Sequence, residues 1–514
     1  IQMQPSCSCL LSQLTRPPVA ARVAFFQTTP SPRIPSNVQH PGYLGYLSGA
    51  VSSIWAKGLP WTTSSVDAPA APTIKGSRSI PLKISRREVT DRTLTLVNRL
   101  LKAESTSSRL LRISDLSGHL VAFPPARLCA VQEPRLIAYL LEVERECAEA
   151  AVRAEARLCL TLCGYIPPPK GAGINLLTID GGGTRGMMGL EILDAIEKAT
   201  GGKKVHELFD HIVGVSTGAI IAVLLGVQKR SVEDARAVYM DISRKLFSQN
   251  RLAGVSGLFL QHSYYNTKKW IEILKELLGE STMADSAKDP SVPRLSLISS
   301  IVNLPTLEPF IFRNYETPAG HDSHYRGSTE YTVWKAIQAS AAAPGYFEEV
   351  VLEKGVLLQD GGVLANNPTA LGVHEARSLW PDEPISCLVS VGNGRTECDL
   401  EPTPLYEASR THHKLLKIID SATDTEAVHI AMHDLLNEKV YFRLNPYMSH
   451  PYGLDEIDPS RLDQMHADAK LYVRRNKGKL DLAAAQLTKS PSVSQRVVRS
   501  YNEMRHRNGW YAPP

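Results

Sequence analysis

The sequence has 514 residues, with 57 Lys and Arg against 52 Asp and Glu, so its formal net charge is +5. Its hydrophobic content of 43% is that of a globular protein, which excludes an acidic, disordered chain. Residues 1–65 contain no acidic residue and carry Arg16, Arg22, Arg33 and Lys57, so the rest is nearly neutral. The near-neutral charge of the chain after residue 65 argues against nucleic-acid binding, which needs a clustered basic surface. The length predicts roughly two or three domains.

Residues 1–80 are rich in Ser and Pro, contain scattered Arg and end in the linker-like run VDAPAAPTIKGSRS. This composition predicts a disordered leader and is also typical of an organellar transit peptide. We therefore expect an intracellular, membrane-associated protein with a mitochondrial address. The alternative is a plain disordered leader.

Residues 85–170 have a helical pattern, with apolar residues three and four apart in DRTLTLVNRLL and in PRLIAYLLEVERECAEAAVRAEARLCLTLCGY. Cys159 and Cys163 are four apart in the second run and share one helix face, so we expect buried thiols there. Eight cysteines in a chain of this length do not form a disulfide framework, which fits a reducing compartment. The breaker PPPKGAG, residues 167–173, ends this region.

After residue 173 the sequence alternates short apolar strands with helices. The predicted strands are INLLTID, FDHIVGV, RLSLISSIV, EPFIFRNY, GVLLQD and ISCLVSVG, and the clearest helices are GLEILDAIEKAT and GAIIAVLLG. This alternation predicts an α/β layered fold with a mostly parallel sheet. We place the core at residues 174–375 and regard residues 376–514 as a mostly helical C-terminal extension of it.

The motif GVSTG, residues 214–218, has the form G-x-S-x-G and lies between the strand FDHIVGV and the helix GAIIAVLLG. A nucleophile elbow requires this strand–turn–helix setting, because Gly214 and Gly218 allow a sharp turn that exposes Ser216. The N-terminus of the following helix would face any negative charge that develops nearby. Ser216 is therefore the candidate nucleophile, with a plain turn as the alternative.

The motif DGGGTRG follows the strand INLLTID and satisfies G-x-G-x-x-G through Gly181, Gly183 and Gly186. A dinucleotide-binding loop is the rival interpretation, but it requires an acidic residue at the end of the second strand, where this sequence has GVS. A glycine loop beside a nucleophile can instead point backbone N–H groups at an oxyanion. We favour an oxyanion loop formed by Gly181, Gly182 and Gly183, with the positive charge of Arg185 close by.

Asp360 ends the apolar strand GVLLQD and is followed by Gly361 and Gly362. It would lie at the carboxyl end of a strand, where α/β proteins build their sites. Alone it would be an ordinary turn residue, but beside Ser216 its carboxylate could take the hydroxyl proton without an imidazole. His374 follows in chain order and offers a Ser216-Asp360-His374 triad as the alternative. Nothing in the sequence indicates a metal, and no cofactor is expected.

In this order, DGGGTRG, GVSTG and DGG resemble the oxyanion, nucleophile and aspartate motifs of the patatin-like phospholipase family. The surrounding runs are similar to its calcium-independent phospholipase A2 gamma group, namely GYIPPPKGAGINLLTIDGGGTRG, FRNYETPAGHDSHY, AIQASAAAPGYF, QDGGVLANNPTALGVHE and SATDTEAVH. The resemblance extends over about residues 164–471 and weakens in the helical region before them.

The resemblance implies a patatin-like three-layer α/β/α sandwich with a mostly parallel sheet, preceded by the helical region and the disordered leader. It implies that Ser216 is the nucleophile and Asp360 its base, and that Gly181 to Gly183 and Arg185 form the oxyanion side. The implied reaction is hydrolysis of a fatty acyl ester of a glycerophospholipid through an acyl-enzyme, without calcium. A pseudoenzyme is not expected, because no motif residue departs from the pattern.

We expect a peripheral protein that binds its phospholipid substrate at a membrane surface. Two other functions stay open. One is a soluble carboxylesterase that uses the full triad with His374. The other is a non-catalytic lipid-binding or scaffold protein, suggested by the helical region. The apolar run AGVSGLFLQ, residues 253–261, is either an exposed membrane-contact loop or a buried strand, and burial is favoured.

Overall fold

The described part of the fold begins with a group of helices. The computed structural model describes residues 85–248, 265–395 and 425–510, so the predicted leader lies outside the described residues. Ser85 and Glu88 form a reciprocal capping box at the first helix, and Ser105 caps the second. The helices are α1 (Arg86–Leu101), α2 (Thr106–Ala122), α3 (Ala126–Val131), α4 (Pro134–Glu146) and α5 (Ala150–Leu162).

These helices share a hydrophobic core of their own. Leu100 of α1, Leu116 of α2 and Leu140 of α4 are fully buried in it together with Cys159 of α5. Cys159 and Cys163 are both buried and both are free thiols, as their spacing predicts. The predicted helical pattern therefore reflects a packed layer of helices.

A mixed sheet occupies the centre of the fold. Its strands are β1 (Ile174–Ile179), β2 (His211–Val215), β3 (Arg294–Ile301), β4 (Glu308–Arg313), β5 (Arg326–Ser328), β6 (Val350–Val351), β7 (Leu357–Asp360), β8 (Ile385–Val391) and β9 (Tyr441–Leu444). Its spatial order is β5-β4-β3-β2-β1-β8-β9, with β7 paired to β3 and β6 paired to β7. Strands β3, β2, β1, β8 and β9 are mutually parallel, whereas β4 and β7 run antiparallel to β3. The predicted mostly parallel sheet is confirmed.

The remaining helices surround the sheet and connect its strands. They are α6 (Gly186–Ala199), α7 (Val205–Leu208), α8 (Thr217–Ala222), α9 (Val232–Phe247), α10 (Thr267–Leu278), α11 (Val333–Ser340), α12 (Gly362–Ala365), α13 (Thr369–Leu379), α14 (Thr425–Leu435), α15 (Pro459–Arg475), α16 (Lys477–Leu487) and α17 (Val493–Arg507). Helix α8 continues as a π-helical turn over Val223–Val227.

Both faces of the sheet are covered by helices. Successive side chains of a strand point to opposite faces. Leu177 of β1 and Ile212 of β2 are buried in a cluster with residues of α6 and α8, whereas Leu176 and Val213 are buried on the other face with residues of α13. This arrangement is the predicted three-layer α/β/α sandwich.

Two strands of the sheet lie beyond residue 375, the predicted end of the core. β8 pairs with β1 on the side away from β2, and β9 extends the sheet from β8. Helices α15 and α16 then pack against α6. The central sheet therefore continues into the predicted C-terminal extension, which contains strands as well as helices.

Candidate active site

Ser216 occupies a sharp turn between β2 and α8. Its backbone has φ 54° and ψ −122°, and a positive φ is rare for any residue other than glycine. A Cβ at Gly214 would lie 2.3 Å from the Gly218 carbonyl oxygen, and a Cβ at Gly218 would lie 2.2 Å from that of Ile179. Only glycines permit this close passage of the backbone, so the turn has the geometry of a nucleophile elbow with Ser216 at its apex.

The hydroxyl of Ser216 is bound directly to the carboxylate of Asp360. Ser216 Oγ donates a hydrogen bond of 2.6 Å to Asp360 Oδ2, and the N–H of Gly362 donates one of 2.7 Å to Oδ1. Asp360 ends β7 and pairs with Ser299 of β3, the strand beside β2. The sheet therefore brings the two residues together although 144 positions separate them in the chain.

Burial sets the basicity of the Asp360 carboxylate. The residue is 5% exposed. This burial raises the pKa of Asp360 to about 6, against the lowering effect of the hydrogen bonds from Ser216 and Gly362. At pH 7 the carboxylate is mostly ionised, yet it is more basic than an exposed aspartate, whose pKa is about 3.9. These are the properties of a general base that works near neutral pH.

His374 lies in α13 and makes its contacts away from this pair. Its Nε2 accepts a hydrogen bond of 3.1 Å from the backbone N–H of His324, and its ring packs against those of His324 and Tyr325. Among the described residues, no histidine donates to the Asp360 carboxylate. In those same residues no group of three or more His, Cys, Asp or Glu side chains is arranged to hold a metal ion. The structure therefore joins Ser216 to Asp360 without His374.

The glycine-rich loop runs directly past the nucleophile. A Cβ at Gly181 would lie 3.1 Å from Ser216 Cβ and 2.4 Å from the side-chain oxygen of Asn366. The N–H of Gly181 donates to the backbone carbonyl oxygen of Asn366 at 3.2 Å. The amides of Gly182 and Gly183 have no hydrogen-bond partner within residues 85–248, 265–395 and 425–510. These two N–H groups, rather than that of Gly181, are therefore available to an oxyanion.

Hydrogen bonds fix the shape of this loop. Arg185 Nε donates to the Gly182 carbonyl oxygen at 3.1 Å, and Thr217 Oγ1 donates to that of Gly183 at 2.9 Å. Gly183 has φ 54°, and a Cβ there would lie 2.0 Å from the carbonyl oxygen of Leu454. Arg185 thus stabilises the loop by a hydrogen bond within it. Thr217, the residue after the nucleophile, connects the loop to the elbow by a hydrogen bond.

The loop starts at a buried ion pair and ends at Gly186, where α6 begins. Arg443, in β9, donates hydrogen bonds of 2.9 and 2.6 Å to the two carboxylate oxygens of Asp180. The two side chains are 3% and 2% exposed, so the pair is shielded from water. Ser390 Oγ also accepts a hydrogen bond from Arg443, at 3.0 Å. The pair holds the start of the loop against a strand 263 positions later in the chain.

Ser340, which no sequence motif singled out, supports both members of the Ser–Asp pair. Its Oγ accepts a hydrogen bond of 2.9 Å from the Ser216 N–H and donates one of 2.5 Å to the Ile298 carbonyl oxygen. Its carbonyl oxygen accepts a hydrogen bond of 3.2 Å from the N–H of Gly361, next to the aspartate. The run AIQASAAAPGYF, which contains Ser340, resembles the family but gave no sign of this partner.

Arg443 and Asn393 also escaped sequence prediction. Arg443 lies in the short run VYFRLN, where the signal is a single charge inside an apolar strand pattern. Asn393 follows β8, and its Nδ2 donates to the Asp180 carbonyl oxygen at 2.5 Å. Its run VGNG marks a turn after a predicted strand, which indicates a position in the fold without indicating a partner.

The site lies in a region that matches a known protein family. The family model of patatin-like phospholipases matches residues 177–372, which include the whole glycine-rich loop, Ser216 and Asp360. Residues 177–372 therefore form a patatin-like domain. The patatin-like domain falls within the predicted core, and its layered fold is the one that the sequence resemblance implies.

Relatives of this chain carry phospholipase names. It is 41% identical to human calcium-independent phospholipase A2-gamma over 415 residues, which cover 80% of this chain and 52% of that protein. It is 30% identical over 361 residues to phospholipase A I of Arabidopsis thaliana, covering 59% of this chain and 27% of that protein. It is 26% identical over 313 residues to a cGAMP-activated phospholipase of Escherichia coli, covering 56% and 81% respectively. The chain thus spans about half the length of the human relative, and the predicted family resemblance is confirmed.

Proposed function

We propose that this chain is a calcium-independent serine acyl hydrolase of the phospholipase A type, which cleaves fatty acyl esters of glycerophospholipids. The observation that carries the proposal is the hydrogen bond of 2.6 Å from the Ser216 hydroxyl to the buried carboxylate of Asp360. The names of the three relatives support the same class of reaction. Ser216 is the proposed nucleophile and Asp360 the proposed base.

The first half of the proposed reaction forms an acyl-enzyme. Ser216 Oγ attacks the ester carbonyl carbon while its proton moves to Asp360 Oδ2, which already accepts the hydroxyl hydrogen bond. The carbonyl oxygen becomes an oxyanion, which the amides of Gly182 and Gly183 stabilise. Collapse of this intermediate breaks the bond to the glycerol oxygen. The lysophospholipid leaves as an alcohol after it takes the proton from Asp360.

The second half releases the fatty acid. Asp360, ionised again, takes a proton from a water molecule as that water attacks the acyl carbon. The same two amides stabilise the second oxyanion, and its collapse returns the proton from Asp360 to the Ser216 oxygen. Each turnover consumes one ester and one water. No step uses His374, in agreement with its contacts to His324.

The supporting residues have positioning roles in this proposal. The Asp180–Arg443 ion pair and Arg185 hold the oxyanion loop in the shape that leaves two amides open. Ser340 fixes the backbone on either side of the reacting pair. None of these groups exchanges a proton with the substrate in the steps above.

We further propose that different segments of the chain have different roles. Residues 1–80 act as a leader, and residues 85–170 form a helical accessory region. The catalytic core, placed at residues 174–375, is completed by β8 and β9 from the extension at residues 376–514.

We propose that the enzyme meets its substrate at a membrane surface as a peripheral protein, with a mitochondrial address suggested by the acid-free residues 1–65. None of the described helices is long and apolar enough to cross a bilayer. Residues 253–261, the candidate contact loop, lie outside the described residues. A charge in that loop, Leu258→Glu, should reduce flotation with liposomes while circular dichroism stays unchanged. Undiminished flotation would place the membrane contact elsewhere.

Mass spectrometry of the products from a mixed-chain phospholipid tests the proposed reaction. In the presence of EDTA the wild type should release fatty acid and lysophospholipid, whereas Ser216→Ala should release neither. Ser107→Ala, a change at an exposed serine of α2, is the matched control and should keep full activity.

The two alternatives give different results in the same experiment. If His374→Ala loses as much activity as Ser216→Ala, the triad of a soluble carboxylesterase replaces the dyad. If the wild type neither hydrolyses phospholipid nor reacts with a fluorophosphonate probe at Ser216, a lipid-binding or scaffold protein is favoured instead.

A further inference from the structure

A cavity lies at the end of the sheet opposite to the candidate active site. Its volume is about 400 Å³, and small-molecule sites occupy about 300 to 1,000 Å³. Arg294, the first residue of β3, lines this cavity, whereas Ser216 follows the last residue of β2, a parallel neighbour of β3. The other walls of this Arg294 cavity come from α4, α5, residues 165–170, Asp210, the loop before β3, Trp380 and α17.

Arg294 is a partly buried cation without an acidic partner. Its hydrogen bond to Thr161 Oγ1 is long, at 3.5 Å, and joins it to a neutral group. In the part of the chain that the structure describes, no carboxylate lies within ion-pair distance of its guanidinium. Burial lowers the pKa of Arg294 to about 10, and the neighbours that oppose this effect are the phenols of Tyr315 and Tyr165. A guanidinium withdrawn from water is unfavourable until an anion compensates it.

The other charged groups around the cavity already have partners. Lys170 Nζ donates to the carbonyl oxygen of His206 at 2.8 Å. Three ion pairs account for most of the other groups, namely Arg157 with Glu144 at 2.9 Å, Lys229 with Asp289 at 2.6 Å, and Arg507 with Glu503. The Asp210 carboxylate accepts hydrogen bonds from the backbone N–H groups of Lys170 and Asn175. Among the described residues, Arg294 is therefore the lining arginine that has no carboxylate partner.

The chemistry of the walls describes the ligand. The planar guanidinium presents a fork of N–H groups that matches two oxygens of a carboxylate or phosphate. Leu160, Tyr165, Pro293 and Trp380 add apolar surface beside it. We propose that the Arg294 cavity binds an amphiphilic anion, with its carboxylate or phosphate on Arg294 and its apolar body against Leu160, Tyr165 and Trp380. This second site is separate from the proposed reaction centre.

Calorimetric titration of the full chain tests the second site. The probes are octanoate and octyl phosphate below their micellar concentrations, with octanol as the uncharged control of the same chain length. The wild type should bind at least one of the anions more tightly than octanol. Arg294→Met should weaken that binding about tenfold or more, as expected for the loss of a charge-assisted hydrogen-bonded pair, and should leave octanol binding unchanged.

Two more variants make the titration decisive. Arg135→Met removes an arginine of α4 whose side chain is 74% exposed, and as the matched control it should change no affinity. Val292→Phe keeps Arg294 but fills part of the cavity that Val292 lines, so it should weaken the binding of all three probes. If circular dichroism shows that Arg294→Met does not fold, the affinities of Val292→Phe decide the test.

The proposal is overturned if neither anion binds the wild type more tightly than octanol. It is also overturned if a folded Arg294→Met or Val292→Phe protein binds the anions with wild-type affinity. The tighter of the two anions identifies the head group as a carboxylate or a phosphate. Ser216→Ala should bind both with wild-type affinity, so a failure of the proposed hydrolysis leaves this test intact.

Discussion

Replacement of Asp360 by Asn should make the protein more stable at neutral pH while it removes the activity. Folding raises the pKa of Asp360 from 3.8 to about 6, because the carboxylate is buried. A group with a raised pKa stabilises the fold in its protonated form, below the unfolded pKa. This contribution is lost as the pH rises through the folded pKa. At pH 8 the wild type therefore holds an ionised, desolvated carboxylate that the Asn variant lacks.

The size of this effect follows from the change in pKa. A shift of about two units corresponds to about 3 kcal/mol of free energy, at about 1.4 kcal/mol per unit. Asparagine has the shape of the protonated carboxyl group and keeps an oxygen for the Gly362 N–H. We expect Asp360→Asn to be about 3 kcal/mol more stable than the wild type at pH 8, but only about 1 kcal/mol more stable at pH 4.5.

Urea denaturation at pH 8 and pH 4.5 measures the two free energies of unfolding. Phospholipid hydrolysis by the same preparations should fall about 100-fold or more, because the variant lacks a general base. Asp115→Asn, a change at an exposed aspartate of α2, is the control and should alter neither quantity. If Asp360→Asn has no advantage at pH 8, or the same advantage at both pH values, burial does not destabilise the carboxylate and the reasoning is wrong.

Other measurements address the loop, the ion pair and the pH dependence. Gly183→Ala would place a Cβ 2.0 Å from a backbone oxygen and should lower kcat about 100-fold. Gly201→Ala has a similar positive φ but meets nothing within 4 Å, so it should lose about 1 kcal/mol of stability in urea and keep kcat. Arg443→Met leaves a carboxylate buried without its cation and should lower the free energy of unfolding by about 3 to 5 kcal/mol, again measured in urea. The kcat/KM of the wild type should decline below about pH 6 as Asp360 becomes protonated, and a flat acid limb would contradict its role as the base.

Sequence patterns predicted the central strands because these strands are apolar runs bounded by glycine, proline or charged residues. INLLTID, FDHIVGV and RLSLISSIV all form buried, parallel strands. The elbow at Ser216 was predictable for a similar reason, since a G-x-S-x-G motif between a strand and a helix has few other conformations. These features depend on residues that are close together in the chain.

Features that depend on distant residues were less predictable. Asp360 was expected at the site because it ends a strand, yet β7 is antiparallel to its neighbour, and Asp360 reaches Ser216 by pairing with Ser299. Gly181 was expected to offer its amide to an oxyanion, yet that amide is bound by Asn366. In each case the partner is set by how distant segments of the chain meet in space, which no local pattern of polar and apolar residues encodes.

The ion pair between Asp180 and Arg443 bears on where this chain can be shortened. The region that matches the patatin-like family ends at residue 372, before β8, β9 and Arg443. A fragment that stopped there would expose one hydrogen-bonding edge of β1 and leave Asp180 without its cation. During synthesis, the loop beside the nucleophile likewise stays unsupported until β9 has left the ribosome. A catalytic fragment for expression must therefore extend beyond β9, well past the last of the three motifs.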